Sequence, residues 1–211
     1  MARVRAYVGL GANVGDAAGT LQASIHALAT LPGARLRGVS RLYATEPVGV
    51  VDQPEFRNAV AALDVPSGRR PDEGALALLV ALKRLERAFG RQPRKRWGPR
   101  EVDLDLLVFG RHRIDVKRPA EGRSVDPAKA TLALVVPHAE SRNRLFVLAP
   151  LADLAPGLVP PGWGESVATA RDRQLAAEGR DAARPIARWD GERWAPTSAA
   201  GATSAAAGTG R

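Results

Sequence analysis

Gly90-Arg-Gln-Pro-Arg-Lys-Arg-Trp-Gly-Pro-Arg-Glu-Val-Asp-Leu-Asp-Leu-Leu-Val-Phe-Gly110 has two halves of opposite character. Arg91, Arg94, Lys95, Arg96 and Arg100 crowd a segment punctuated by glycine and proline around Trp97. Val102-Asp103-Leu104-Asp105-Leu106 then alternates apolar and acidic residues, the period of a β-strand. Residues two apart in a strand share a face, so Asp103 and Asp105 project side by side. Adjacent carboxylates repel each other unless a cation sits between them. The candidates are Mg²⁺, a hard ion that shares its oxygen ligands with substrate phosphates, and the nearby arginines. A bare Asp-x-Asp also fits an exposed polar strand face. Arginine forks match phosphate oxygens, whereas carboxylates reach phosphate only through a metal. Both halves together describe a nucleoside triphosphate site.

The chain has 211 residues, enough for one domain with a buried core and an appendage. Without cysteine there are no disulfides and no thiolate chemistry. No apolar run approaches the roughly 18 residues of a membrane span. Met1-Ala-Arg-Val-Arg5 leads straight into a strand pattern without a signal-peptide core, so a soluble cytoplasmic protein is expected. The net charge of +9 suits an anionic partner, or simply reflects a generally Arg-rich composition. Location is more informative: Lys83 to Arg100 holds eight basic residues and one acid, Glu86.

Before the central stretch, Pro71-Asp72-Glu73 opens a helix whose Leu76, Leu79, Leu82, Leu85 and Phe89 form a core-facing stripe. Gly90 ends it. Lys83 and Glu86, three apart on another face, read as a solvent-exposed ion pair. Leu36–Ala44 reads as one strand, Thr45–Asn58 as a long loop, and Ala59–Asp64 as the next strand. Val4–Leu10 reads as a first strand, followed by the turn Gly9-Leu-Gly-Ala-Asn-Val-Gly15 and a helix capped by Asp16 and ending near Thr30. These glycines miss the dinucleotide-binding spacing, because Val14 stands where the third glycine belongs. They read instead as a turn that lets backbone pass close to something. After the Asp strand come a charged segment at 111–130, the apolar run Leu132–Val136, Pro137-His138, and a helical pattern interrupted by Pro150. The order strand, helix, strand, strand, helix, strand is the split βαβ order of the α+β class.

Arg96-Trp-Gly-Pro-Arg100 followed by Val102-Asp-Leu-Asp-Leu106 resembles the signature of the 6-hydroxymethyl-7,8-dihydropterin pyrophosphokinase family of folate biosynthesis. A second stretch, Val136-Pro-His138 with Asn143-Arg-x-Phe-Val-Leu-x-Pro-Leu151, is similar to another signature of that family. Ahead of both, Tyr43-x-Thr-x-Pro-x-Gly49 and Asp52-Gln-Pro-x-Phe-x-Asn58 look like its pterin pocket. The resemblance covers roughly Val4 to Pro160. It implies a ferredoxin-like antiparallel sheet packed with helices, in a domain at 1–162 with a surface insertion near 111–130. A C-terminal extension at 163–196 and a disordered tail at 197–211 lie beyond it.

The implied reaction moves pyrophosphate from ATP to the hydroxymethyl group of 6-hydroxymethyl-7,8-dihydropterin and releases AMP. By resemblance, Asp103 and Asp105 hold two Mg²⁺ ions, and Arg91 and Arg100 join them in catalysis. Glu86, Arg91, Trp97, Arg100, His138 and Arg144 fall on ATP. Thr45, Glu46, Pro47, Val48, Phe56, Asn58 and Phe146 fall on the pterin. The chain departs from the family at Lys83, where some members have Gln, at Pro93 and Arg94, and at Ala139, where an aromatic or Arg is frequent. The substrates are small molecules, with no nucleic acid or membrane partner, and a monomer is expected. The alternatives are a ferredoxin-like RNA-binding module and a Mg²⁺-dependent nucleotidyltransferase, which would release pyrophosphate instead of AMP.

Overall fold

The computed structural model describes residues 2–47, 52–92, 98–127 and 130–197. Trp97, Val48, Pro93 and Arg94 therefore lie outside the described residues, as does the tail beyond Thr197. The central element is strand β1 (Arg3–Ala12), which pairs antiparallel on one side with β4 (Phe56–Pro66) and on the other with β5 (Asp103–Phe109). Two further strands, β2 (Arg35–Val39) and β3 (Leu42–Thr45), both pair with β4. Helix α1 (Ala17–Ala29) connects β1 to β2, and α2 (Pro71–Ala88) connects β4 to β5. With β4 lying between β1 and the β2/β3 pair, the sheet has the expected split βαβ arrangement.

Local chemistry explains most of these elements. Asp16 accepts the Gly19 N–H at 2.9 Å and so caps α1, as its position predicts. Pro71 starts α2, with Asp72 and Glu73 at its positive end. Alternate residues of β1 and β4, including Val8, Leu10, Ala61 and Leu63, pack against Leu21, Ile25 and Leu28 of α1 and Leu79 and Leu82 of α2. The opposite face carries a second core of Tyr7, Val60, Leu107, Leu148, Leu151, Trp163 and Val167. It is covered by α3 (Leu145–Leu154) and α4 (Val167–Glu178).

Several expectations need correcting. Leu36–Ala44 is two strands, broken at Ser40, whose Oγ donates to the Arg41 carbonyl and accepts the Val60 N–H at 2.9 Å. A hydroxyl that serves both as donor and as acceptor for backbone groups replaces a ladder step. Strand β4 begins at Phe56, so Phe56 and Asn58 stand on a strand and the loop before them is shorter. Gly9 and Gly11 lie within β1, and the turn comes later, at Gly15 with φ +59°.

Segment 111–130, expected on the surface, is partly built into the fold. A short hairpin pairs β6 (Ile114–Val116) with β7 (Leu134–Val136), and Ile114, Gly122, Ser124 and Asp126 are buried. Arg87 of α2 fastens it by donating to the Glu121 and Arg123 carbonyls at 3.0 and 3.1 Å. The 163–196 stretch supplies α4 and a hairpin of β8 (Arg184–Trp189) and β9 (Trp194–Pro196), and β8 pairs with β3.

Candidate active site

A cleft continuous with solvent opens on the α3 side of the sheet. Its floor is made by strand positions that share one face. Gly11 pairs with Asp103 and with Asn58, and Gly9 pairs with Asp105 and Val60. Directly paired residues of antiparallel strands point the same way, so the two glycines leave bare backbone beside the two aspartates. A Cβ on Gly11 would stand 3.0 Å from Asn58 Oδ1, and one on Gly9 would stand 3.3 Å from the Leu107 side chain. The Gly-x-Gly spacing thus empties the floor. Sequence reading found the close approach but assigned it to a turn.

A bulge in β5 shapes one wall. Tyr7 pairs with Val108 and Val8 with Leu106, which leaves Leu107 as the extra residue. A bulged residue re-aims its side chain and frees its backbone from the ladder. Leu107 lines the cleft, and its carbonyl accepts the His138 N–H at 2.9 Å. His138, just after the cis Val136–Pro137 bond, is thereby brought to the cleft.

The carboxylate pair is neutralised by basic side chains of the protein. Asp103 pairs with Arg91, and its other oxygen lies 3.1 Å from Arg100. Asp105 lies 3.7 Å from Lys83 Nζ. Behind the strand, Glu86 is 1% exposed and Lys83 4%, so the expected solvent-exposed ion pair is instead buried. Its location explains this. β5 is an edge strand, and Glu86 Oε1 accepts the Leu104 N–H at 2.7 Å while Lys83 Nζ donates to the Leu104 carbonyl at 3.0 Å. The two side chains thus bond edge groups of β5. Burial pushes the Glu86 carboxyl above its ordinary value, against the pull of Lys83. Burial also opposes the charge on Lys83, yet Glu86, Asp105 and Asp103 together raise its pKa. Arg91 is buried as well, 2.9 Å from Glu86, and with Asp103 and Glu86 outweighing burial it is held firmly charged.

The structure brings Glu46, Phe56, Asn58, Arg100, Asp103, Asp105, His138, Arg144 and Phe146 to the cleft lining. Three other expected residues stand behind it. Arg91 and Glu86 face Asp103 and each other, and Thr45 Oγ1 accepts from Asn58 Nδ2 at 2.7 Å, which orients the amide. Pro47 does not line the cleft. Arg144 leans over the Phe146 ring at 5.7 Å.

Asn13 was missed as a site residue. It is 3% exposed, its Nδ2 donates to Gln53 Oε1 and the Pro54 carbonyl at 3.0 Å, and its Oδ1 accepts the Arg100 N–H at 2.7 Å. One amide therefore ties the loop before Phe56 to the loop carrying Arg100. An asparagine after a glycine pair looks like an ordinary turn residue, so the sequence gives no signal for this bridge.

The model of the 7,8-dihydro-6-hydroxymethylpterin-pyrophosphokinase (HPPK) family matches residues 7–156. A 2-amino-4-hydroxy-6-hydroxymethyldihydropteridine pyrophosphokinase of Pseudomonas aeruginosa is 43% identical over 157 residues, covering 74% of this chain and 84% of that protein. The enzyme of the same name from Methylorubrum extorquens is 40% identical over 161 residues, covering 75% and 87%. Among solved structures, wild-type HPPK-DHPS of Plasmodium falciparum with pterin and p-hydroxybenzoate has a similar fold, with a TM-score of 0.69 at 14% identity. That likeness covers 92% of this chain and 48% of the other, so this chain spans about half its length. The two-signature sequence, the split βαβ sheet and the family match converge: this chain belongs to the 7,8-dihydro-6-hydroxymethylpterin-pyrophosphokinase family and transfers pyrophosphate from ATP to hydroxymethyldihydropterin in folate biosynthesis.

Proposed function

We propose that the cleft over Gly9 and Gly11 is where this transfer occurs, with the pterin between Phe56 and Phe146 and the ATP triphosphate over Asp103 and Asp105. The supporting observation is that one continuous cleft is lined both by the carboxylate pair and by Phe56, Asn58 and Phe146. An aromatic ring offers a flat apolar face to a flat heterocycle, and Asn58, oriented by Thr45, offers its amide to the pterin edge. Glu46 lines the cleft beside them. Pro47 and Val48 complete the pterin loop in this reading, and Trp97 joins the ATP side; Val48 and Trp97 lie outside the described residues.

Two carboxylates on a strand form a hard oxygen donor set, which fits Mg²⁺, an ion that takes one or two protein carboxylates and completes its sphere with phosphate oxygens and water. When bound, it would polarise the triphosphate oxygens as a Lewis acid. The number of ions is taken as two, following the resemblance. The remaining work falls to the side chains. Arg100, His138 and Arg144 face the cleft, where they oppose charge growing on phosphate oxygens. Arg91 and Glu86 act from behind by fixing Asp103 and the β5 edge. The pterin hydroxyl oxygen attacks the β-phosphorus, the bond to the α-phosphate oxygen breaks, AMP leaves and the hydroxyl proton passes to solvent. Phosphoryl-type transfer is mostly positioning and electrostatics, so no dedicated base is assigned.

The protein is taken to act as a monomer in this reading. A cytoplasmic location follows from dissolved substrates; no helix among the described residues is long and apolar enough to cross a membrane. No nucleic-acid partner is assigned, because the two aromatic rings that line the cleft, Phe56 and Phe146, are given to the pterin in this reading. The test is incubation with ATP, Mg²⁺ and 6-hydroxymethyl-7,8-dihydropterin, with nucleotides resolved by chromatography. Pterin-dependent AMP is expected. Pyrophosphate release without AMP would move the chain to nucleotidyl transfer.

A further inference from the structure

Lys83 is buried against the active site, yet the transfer described above gives it no part. It stands on α2 with its side chain 4% exposed. Its Nζ donates to Glu86 Oε1 at 2.6 Å and to the Leu104 carbonyl at 3.0 Å. Leu104 is the residue between the two aspartates, so these bonds fix an ammonium behind the carboxylate pair, 3.7 Å from Asp105 Oδ1. An exposed lysine could swing away from an arriving cation. This one is held in place by the groups around it.

The charges of the site balance without an added ion. Among the described residues, Lys83, Arg91 and Arg100 match Glu86, Asp103 and Asp105 charge for charge. Two arginines pair with Asp103, whereas Asp105 has its ion pair with Lys83 at a distance beyond that of a hydrogen bond. The ammonium therefore makes the potential at Asp105 less negative without occupying its oxygens. A divalent cation that arrives alone meets a neutral site and a fixed positive charge beside its ligand. A cation that arrives on a triphosphate brings more negative charge than it cancels.

We propose that Lys83 sets the metal affinity of the Asp103–Asp105 pair: its fixed ammonium keeps binding of a free divalent cation weak, so that the metal enters together with the triphosphate. This rests on the site reading above. A neutral side chain at position 83 would turn the pair into a free-standing cation site.

The test titrates the nucleotide-free protein with Mn²⁺, which takes the same oxygen ligands as Mg²⁺ and is followed by its EPR signal. The unaltered protein should bind with a Kd of about 1 mM or weaker. Lys83→Gln and Lys83→Met should each tighten binding about tenfold, the order expected for losing one like charge at a half-exposed site. Glu86 keeps Arg91 and the Leu104 N–H in both variants. Damage to the fold would weaken binding, so a gain is not a structural side effect. Arg70→Gln removes one charge from the exposed start of α2 and should leave the affinity within about twofold. Adding Asp105→Asn to Lys83→Gln should abolish the gain. Lys83 variants that both bind within twofold of the unaltered protein overturn the proposal. So does an equal gain in Arg70→Gln, or a gain that survives Asp105→Asn. A Kd of about 10 µM or tighter for the unaltered protein without nucleotide also overturns it, and that result needs no variant. The same titration with α,β-methylene ATP tests the site reading separately. If the unaltered protein fails to bind Mn²⁺ with this analogue, the site reading falls; if it binds the complex while the Lys83 variants show no gain, only the role of Lys83 falls.

Discussion

Asp103 and Asp105 share a strand face but not a role. Asp103 is held by Arg91 and Arg100 and its side chain is 19% exposed, whereas Asp105 is 40% exposed and, among the described residues, pairs only with Lys83, 3.7 Å away. Among the described residues, removing the Asp103 charge leaves the buried Arg91 with Glu86 as its one ion-pair partner, and breaking such a pair costs on the order of 3 kcal/mol. Asp103→Asn should therefore lower the melting temperature and abolish AMP release. Asp105→Asn should abolish AMP release, by about a hundredfold or more, with the melting temperature nearly unchanged. Thermal melts beside AMP assays separate the two; equal melting losses would show that the aspartates are structurally equivalent. Asp64, far from the cleft, gives a pH handle. Arg5 and Arg37 reach it at 2.6 and 2.5 Å and lower its pKa from 3.8 to about 2. A depressed acid stabilises the fold above its unfolded pKa and loses that contribution as pH falls through its folded pKa. The stability gap between the protein and Asp64→Asn should thus hold above about pH 4 and close towards pH 2, and a gap independent of pH would count against the ion pairs. Sequence alternation is enough to place the aspartates on one face. It cannot show which cations answer them, because Lys83 comes from another element and Arg91 from the turn after it, and only packing brings them to β5.

Among the elements, β1 shows why some of the fold was legible and some was not. Its apolar alternation, its pairing partners and the cap of α1 all follow from local pattern. Gly9 and Gly11 looked like turn formers because glycine is usually read for backbone freedom. Here neither glycine has a positive φ, and each is needed for the volume it leaves empty over the sheet. A missing side chain carries no sign in the sequence of whether it serves a turn or a cavity. Gly11→Ala would put a methyl group 3.0 Å from Asn58 Oδ1, inside the cleft floor. Its expected effect is a several-fold rise in pterin KM with ATP KM within about twofold, since a small overpacking at one contact costs on the order of 1 kcal/mol. An equal rise for both substrates would place the methyl's effect on the sheet and not on the pterin pocket. The break between β2 and β3 was invisible for a related reason: Ser40 has no breaker signature, and its side chain acts only once Val60 is beside it. The buried Lys83–Glu86 pair likewise depends on β5 being an edge strand, which is a fact of topology and not of helix spacing.

At the scale of the molecule, the family match ends at residue 156, yet the likeness to the solved fold takes in 92% of the chain and so runs well past that point. The reason is structural. Trp163, Val167 and Ala170 are buried in the same core as Tyr7, Val60 and Leu148, and β8 covers the edge of β3. Glu178 of α4 accepts the Leu145 N–H at 3.4 Å at the start of α3, the helix carrying Phe146, and Arg184 pairs with Glu55 next to Phe56. We therefore propose that the stretch from 163 to 196 belongs to the enzyme domain instead of hanging from it. A chain ending at Pro160 would expose half of the second core and leave β3 as a bare edge, the arrangement that invites aggregation. It should be recovered insoluble or without a cooperative thermal transition. A chain ending at Thr197 keeps every contact described here and should melt within about 3 °C of the full protein, with AMP release unchanged. If the Pro160 chain instead melts cooperatively at the full protein's temperature, α4 and the β8–β9 hairpin are accessory and the two-faced core does not need them. If it melts cooperatively but lower, and loses pterin affinity before ATP affinity, the extension acts chiefly through Phe56 and Phe146, the two rings it braces.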